Sequence, residues 1–181
     1  MDEEIQHSID AFKNRRIFDS FNPEVLAGIA DDQIEQAILD FVCNRIGTDF
    51  SGECEVLQQL SQGIVAIYTT MVVEAEVDNG GFTQYFWNSE GKLAHMAATG
   101  FRQIGALPFE ALMRRAISLW EGEHLVWRIL KKVGTLSSFS ESYKHTKLGE
   151  LDQEFYRLNE ASSLSQQRIN YIRQNANEFI S

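Results

Sequence analysis

The amino-acid sequence predicts an all-α protein, a single compact, bundle-like domain of about eight to ten helices over residues 1–181. Two observations carry that expectation. Apolar residues recur three and four positions apart along almost the whole chain, the period of a helix buried on one face. No convincing run of alternating apolar and polar residues marks a strand. A length of 181 residues suggests one domain, and 44% hydrophobic residues suffice for a core without disulfide or metal staples.

The elements follow in order. Ile5, Ile9 and Phe12 lie at helical spacing near the start. Asn22-Pro23 reads as an N-cap followed by proline at the first helical position. Asp31 or Asp32 is expected to cap the next helix, whose stripe is Ile34, Ala37, Ile38, Phe41 and Val42, with Gly47 as its end. Leu57, Leu60, Ile64, Ile67, Tyr68, Met71, Val72 and Ala75 make the longest periodic run, the expected central helix. Leu93, Met96, Ala97 and Phe101 follow, closed by Gly105. Pro108 opens a helix with Leu112, Ile117 and Trp120, and Leu125, Ile129, Leu130 and Val133 carry the pattern to Gly134. Leu148, Leu151, Phe155 and Leu158 form one more stripe, and Leu164, Ile169, Ile172, Ala176 and Phe179 form the last.

Between the central helix and Leu93 lies AEVDNGGFTQYFWNSEG, residues 75–91. Asn79 and Gly80 suit the left-handed conformation that ends helices, and Gly81 permits close backbone approach. Phe82, Tyr85 and Phe86 then fall on one face of a short helix that Asn88 and Gly91 terminate. The expectation is a helix–corner–helix with an aromatic plug, in which Gln84 and Asn88 hydrogen-bond neighbouring backbone. A ligand pocket lined by Asn79, Gln84, Tyr85 and Asn88 is the alternative.

The net charge is −10, and its distribution is uneven. Residues 1–60 hold 13 acids and 4 bases, whereas residues 121–181 hold 8 of each. Such asymmetry disfavours direct binding to nucleic acid or an anionic membrane and favours a basic partner. The N-terminus lacks the basic start and apolar core of a signal peptide, and the uncharged stretch Val56–Val73 is too polar to span a bilayer. Two cysteines, Cys43 and Cys54, without a secretion signal fit a reducing cytoplasm.

Enzyme motifs are not found. His7, His95, His124 and His145 form no close metal-ligand pair; Glu121, Glu123 and His124 are the tightest cluster, and a lone Glu-x-x-His needs carboxylates from other helices. Neither a phosphate-cradling glycine loop nor a G-x-S-x-G elbow occurs, and neither cysteine has a histidine nearby in sequence. Trp120 and Trp127 read as core. The expectation is therefore a non-enzymatic protein without metal or cofactor.

NGGFTQYFWN resembles the NGGF-x-Q-[YF]-x-x-N signature of a bacterial domain family best known from an acidic DNA-mimic protein, with Asn79, Gly80, Gly81, Phe82, Gln84, Tyr85 and Asn88 matching one by one. The resemblance implies an all-helical homodimer. It also implies carboxylates presented in a DNA-like pattern, occupying a helix-turn-helix transcription factor and keeping it off its operator. Spacing permits this: residues four apart on a helix are separated by about 6 Å along its axis, and phosphates two steps apart on one DNA strand by about 6.8 Å of helix axis. Candidate acids are Asp2, Glu3, Glu4, Asp10, Asp19, Glu24, Asp31, Asp32, Glu35, Asp49, Glu53 and Glu55. Helix-dipole stabilisation is the plain alternative for Asp31, Asp32 and Glu24. Two further readings stand beside mimicry: an enzyme or small-ligand module built on the 79–88 corner, and an antitoxin-like partner of a basic protein that does not bind DNA.

Overall fold

A computed structural model describes residues 3–48 and 50–181, without the side chains of Glu3, Glu4, Ser8, Ala11, His124 and Val126. The fold is all-α, with no strand among the described residues. The helices are α1 (Glu3–Lys13), α2 (Pro23–Ala27), α3 (Asp31–Ile46), α4 (Glu53–Leu57), α5 (Gln62–Ser89), α6 (Ala94–Gln103), α7 (Leu107–Val133), α8 (Leu136–Ser142), α9 (Asp152–Ala161) and α10 (Leu164–Gln174). Single 3₁₀ turns at Leu148–Leu151 and Ala176–Phe179 precede α9 and follow α10.

Helix α5 is the axis of the bundle. It packs most extensively on α6, α6 packs on α7, and α3 covers another side of α5. The core is rich in aromatic rings: Phe21, Phe41, Phe82, Phe86, Phe101, Phe109, Phe155 and Phe179 are all buried. Each such ring contributes about 1.5–3 kcal/mol on leaving water, which is how a bundle of mostly short helices holds together.

Several starts and stops match their sequence signals. The Asn22 side chain accepts from the Val25 N–H, with Pro23 at the first helical position. Gly47 ends α3, and Gly134 ends α7 in the left-handed conformation. Other expectations need correction. Neither Asp31 nor Asp32 caps α3: Ala30 is the N-cap, without a side-chain bond, and both acids stand in the first turn. The long periodic run is two helices, separated at residues 58–61; it reads as one because Leu57 and Leu60 both face the core and no glycine or proline marks the break. Along the far half of α7, Leu125, Ile129 and Val133 are 61–68% exposed rather than core. Helix α8 has no apolar stripe to announce it; its signal is Thr135-x-x-Ser138, a reciprocal capping box.

One polar cluster lies inside the bundle. Arg168 on α10, with a side chain 3% exposed, pairs with Glu35 on α3 and Glu74 on α5. Ser165 donates to Glu35, and Asn159 of α9 donates to Glu74 at 2.7 Å. Four helices are thus tied to one guanidinium, whose Nη1 has no hydrogen-bond partner. Buried ions are expensive to desolvate, so this cluster fixes the register of the four helices more than it adds stability.

Candidate functional site

The corner in α5 is built from its glycines outward. Gly80 (φ −162°) and Gly81 (φ 72°, ψ 178°) leave helical geometry between two helical halves. The left-handed position is therefore Gly81, not Asn79 or Gly80; Gly80 is extended and excludes a side chain for lack of room. A Cβ on Gly80 would stand 2.3 Å from the Gln84 Oε1. On Gly81 it would stand 2.2 Å from an Asp152 carboxylate oxygen.

A helix break strips backbone groups of their i,i+4 partners. Here side chains from later in the chain meet them. The Tyr156 hydroxyl donates to the Val77 carbonyl and the Tyr143 hydroxyl to the Gly80 carbonyl, each at 2.8 Å. Asp152 accepts the Phe82 N–H at 2.9 Å. Gln84 and Asn88 bond a carboxylate rather than neighbouring backbone: both amides donate to one oxygen of Glu76, at 2.9 and 2.8 Å. Burial pushes the Asp152 carboxyl up from its ordinary value, opposed by the Phe82 N–H. Burial, then Glu74, does the same to Asp78.

The aromatic plug is as expected. Phe82, Tyr85 and Phe86 are buried, with Phe82 edge-on to Phe155, Tyr85 edge-on to Phe86, and Phe86 stacked on Trp120 at 5.3 Å. The Tyr85 hydroxyl is buried without a hydrogen-bond partner. Glu76, Gln84, Asn88, Tyr143, Asp152 and Tyr156 are thus turned on one another and on the backbone, while Thr83, like Tyr85, keeps a buried hydroxyl without a partner. Glu76, Tyr143, Asp152 and Tyr156 were invisible to sequence reasoning, since the last three come from 60 to 80 residues along the chain.

The candidate acids divide into groups. Asp2 and Asp49 lie outside the described residues, and Glu3 and Glu4 stand in the first turn of α1. Asp10, Asp19, Glu24, Asp32 and Glu55 are exposed, with Asp10 accepting from Gln6. Asp31 is exposed but holds Arg173, which also donates to the carbonyls of Leu26 and Ile29 and so pins the α2–α3 corner. Two of the twelve are drawn inward: Glu35 pairs with Arg168, and Glu53 accepts the Tyr68 hydroxyl at 2.5 Å. A thirteenth acid, Asp40, is buried; burial works against its charge, but hydrogen bonds from Arg15 and Gln36 prevail and hold its carboxyl below the usual range.

The histidine and cysteine positions are placed as follows. Glu121 lies 3.3 Å from the His95 ring, while Glu123 accepts from the Thr146 hydroxyl and the Lys147 N–H. The His124 side chain lies outside the described residues. No group of three or more His, Cys, Asp or Glu among the described residues is placed to hold a metal ion. Cys43 and Cys54 are free thiols, pushed up by burial and then by neighbouring acids. No helix among the described residues is long and apolar enough to cross a membrane.

Comparison with known proteins adds one result. Residues 58–175, more than half of the chain, match the family model described as DMP19-like protein. No curated protein and no solved structure matches the chain. The matched stretch contains the whole corner and its clamps, whereas all twelve candidate acids precede it.

Proposed function

The chain belongs to the DMP19-like protein family, and from that premise we propose that it is a DNA mimic: an acidic, cytoplasmic homodimer that occupies a helix-turn-helix transcription factor and blocks its operator. The protein acts by binding, without catalysis, metal or cofactor, and does not itself bind nucleic acid. The observation that carries this reading is the state of the N-terminal acids. Residues 1–60 hold 13 acids against 4 bases, and Asp10, Asp19, Glu24, Asp32 and Glu55 have exposed carboxylates. A DNA-reading protein aims Lys, Arg and helix N-termini at phosphates, and exposed carboxylates offer those groups a substitute. Glu35 and Glu53 serve the interior and leave the mimic surface to the others. The family match covers residues 58–175 and leaves the candidate acids outside it, so their role rests on the charge of this chain.

Self-association is supported by α7. Leu125, Ile129 and Val133, at intervals of four, make an exposed apolar stripe that Leu136 of α8 extends at 86% exposure. Stripes of this kind are uncommon on monomers. A second copy pairing there would bring two acidic thirds into one assembly.

The test is capture of partners from native cell extract, followed by titration of the captured protein. Mimicry requires a DNA-binding regulator, displaced by its own operator DNA and released as salt rises, because exposed charges are screened over about 8–10 Å. Replacing Asp19, Glu24, Asp32 and Glu55 by Asn or Gln should weaken binding by about 1–4 kcal/mol, roughly 5- to 700-fold. A partner indifferent to salt, to DNA and to these substitutions would overturn the reading.

A further inference from the structure

We infer that the groove between the end of α5 and the C-terminal half of α7 binds a small aromatic anion, a planar ring carrying a carboxylate or a phosphate. The chain has three tryptophans, and all of them, Trp87, Trp120 and Trp127, line this one groove of about 430 Å³. That volume lies in the range of small-ligand sites. Against a net charge of −10, the same groove collects Arg128, Lys131 and Lys132 from a single turn of α7.

The walls are built before any ligand arrives. Trp120 lies stacked on Phe86 and is seated against Gly91, where a Cβ would stand 2.4 Å from its ring. Trp87 is braced by Phe139 at 5.2 Å and by Trp127 at 6.1 Å, and Trp127 is itself buried. A rigid aromatic slot loses little entropy on accepting a flat ring, and rings favour offset or edge-on partners of this kind.

The cations divide by role. Lys131 is committed to the scaffold: its Nζ donates to the Trp87 carbonyl, near the end of α5, and stands 5.0 Å above the Trp87 ring and 3.9 Å from Glu90. Arg128 and Lys132 are exposed on the groove wall, and neither forms an ion pair among the described residues. A guanidinium and an ammonium beside an aromatic slot suit an oxyanion attached to a ring, since charge-assisted hydrogen bonds to carboxylate or phosphate are among the strong ones. Glu90 at the same groove faces Lys131, which offsets its repulsion of an anion.

This site is independent of the acidic N-terminal third and stands or falls without it. The experiment is titration of the full chain with AMP and with phenylacetate, each against its neutral counterpart, adenosine and phenylacetamide. Because every tryptophan lines the groove, intrinsic tryptophan fluorescence reports on it directly. At least one anion should give a saturable change, with its neutral counterpart bound about tenfold more weakly. Response to AMP alone assigns the site to phosphates, and response to phenylacetate alone assigns it to carboxylates. The exposed pair Arg128→Gln/Lys132→Gln should keep the fold by circular dichroism and lose the preference for the anion. Absence of a saturable change with either anion, equal binding of the neutral counterparts, or an unchanged preference in the double variant would each overturn the assignment.

Discussion

At the α5 corner, Glu76 takes two side-chain amides, Asp152 takes a backbone N–H, and two tyrosine hydroxyls close on two carbonyls. In the first third of the chain, Asp19, Glu24, Asp32 and Glu55 stand in solvent. Both regions are acidic and polar, yet one spends its hydrogen-bonding capacity internally and the other keeps it available. The difference separates what makes the fold recognisable from what the fold can offer a partner. A corner whose carboxylates, side-chain amides and broken-helix carbonyls are paired within the fold marks architecture, and unpartnered charge marks the surface open to recognition.

Substitutions can break or sharpen that contrast. The largest effect belongs to the acid that crosses the divide. Glu35 comes from the acidic third but is folded onto Arg168, so Arg168→Ala leaves Glu35 and Glu74 facing each other without a cation. A loss of about 3–5 kcal/mol is expected in chemical denaturation. A loss below 1 kcal/mol would place Glu35 back among the solvent-facing acids. Next comes Gly81→Ala, which forces a side chain into a glycine-only conformation and against Asp152. The expected cost is about 2–4 kcal/mol, read as a lowered Tm. A variant that melts like the parent would remove the corner's architectural role.

Tyr156→Phe deletes one clamp and leaves the Val77 carbonyl short of a donor, a loss of about 1 kcal/mol with partner binding unchanged. If binding fell while stability held, the corner would be a site after all. The Asp152 carboxyl, raised by burial, gives a pH signature. Its folded form holds its proton more tightly than the unfolded chain, whose Asp titrates near 3.9. Its contribution is full below that value and is lost as pH rises through the folded pKa. Asp152→Asn, whose amide oxygen can still accept the Phe82 N–H, should therefore flatten this part of the stability profile above about pH 4. An unaltered profile in urea denaturation across that range would show that Asp152 is not strained by its burial. The smallest effect is expected where the charge is most exposed: neutralising Asp19, Glu24, Asp32 or Glu55 singly should change stability by about 0.5 kcal/mol or less. A larger loss at any of them would reveal an internal role like that of Glu35.

Legibility in the sequence follows the range of the interactions. Helix α10 and the aromatic plug could be read because their signals are local: apolar spacing and a Phe-x-x-Tyr-Phe face. Which residue takes the positive φ could not be read from Asn79-Gly80-Gly81, since either glycine can adopt it and the contact that leaves no room for a side chain at Gly81 comes from Asp152, far along the chain. Leu125 and Ile129 have the spacing of core residues, but periodicity says only that a face is apolar and not that anything covers it. Glu35 looked like its solvated neighbours because its partner lies 133 residues away. The tryptophan groove is hidden for the same reason: Trp87 is brought to Trp127 only by the packing of α5 and α7, and Trp120 and Trp127 taken alone read as core.

Asp152 and Tyr156 stand one helical turn apart on α9, and between them they grip α5 on both sides of its break, at Phe82 and at Val77. The two halves of the longest helix are therefore splinted by a ten-residue helix that follows far later in the chain. Release of α9 would free both halves at once, so the Phe82 amide and the amides of α9 belong to one opening unit. In native-state hydrogen exchange they should lose protection together, with a common dependence on denaturant, and Tyr156→Phe should hasten exchange at Phe82 although it touches a different peptide group.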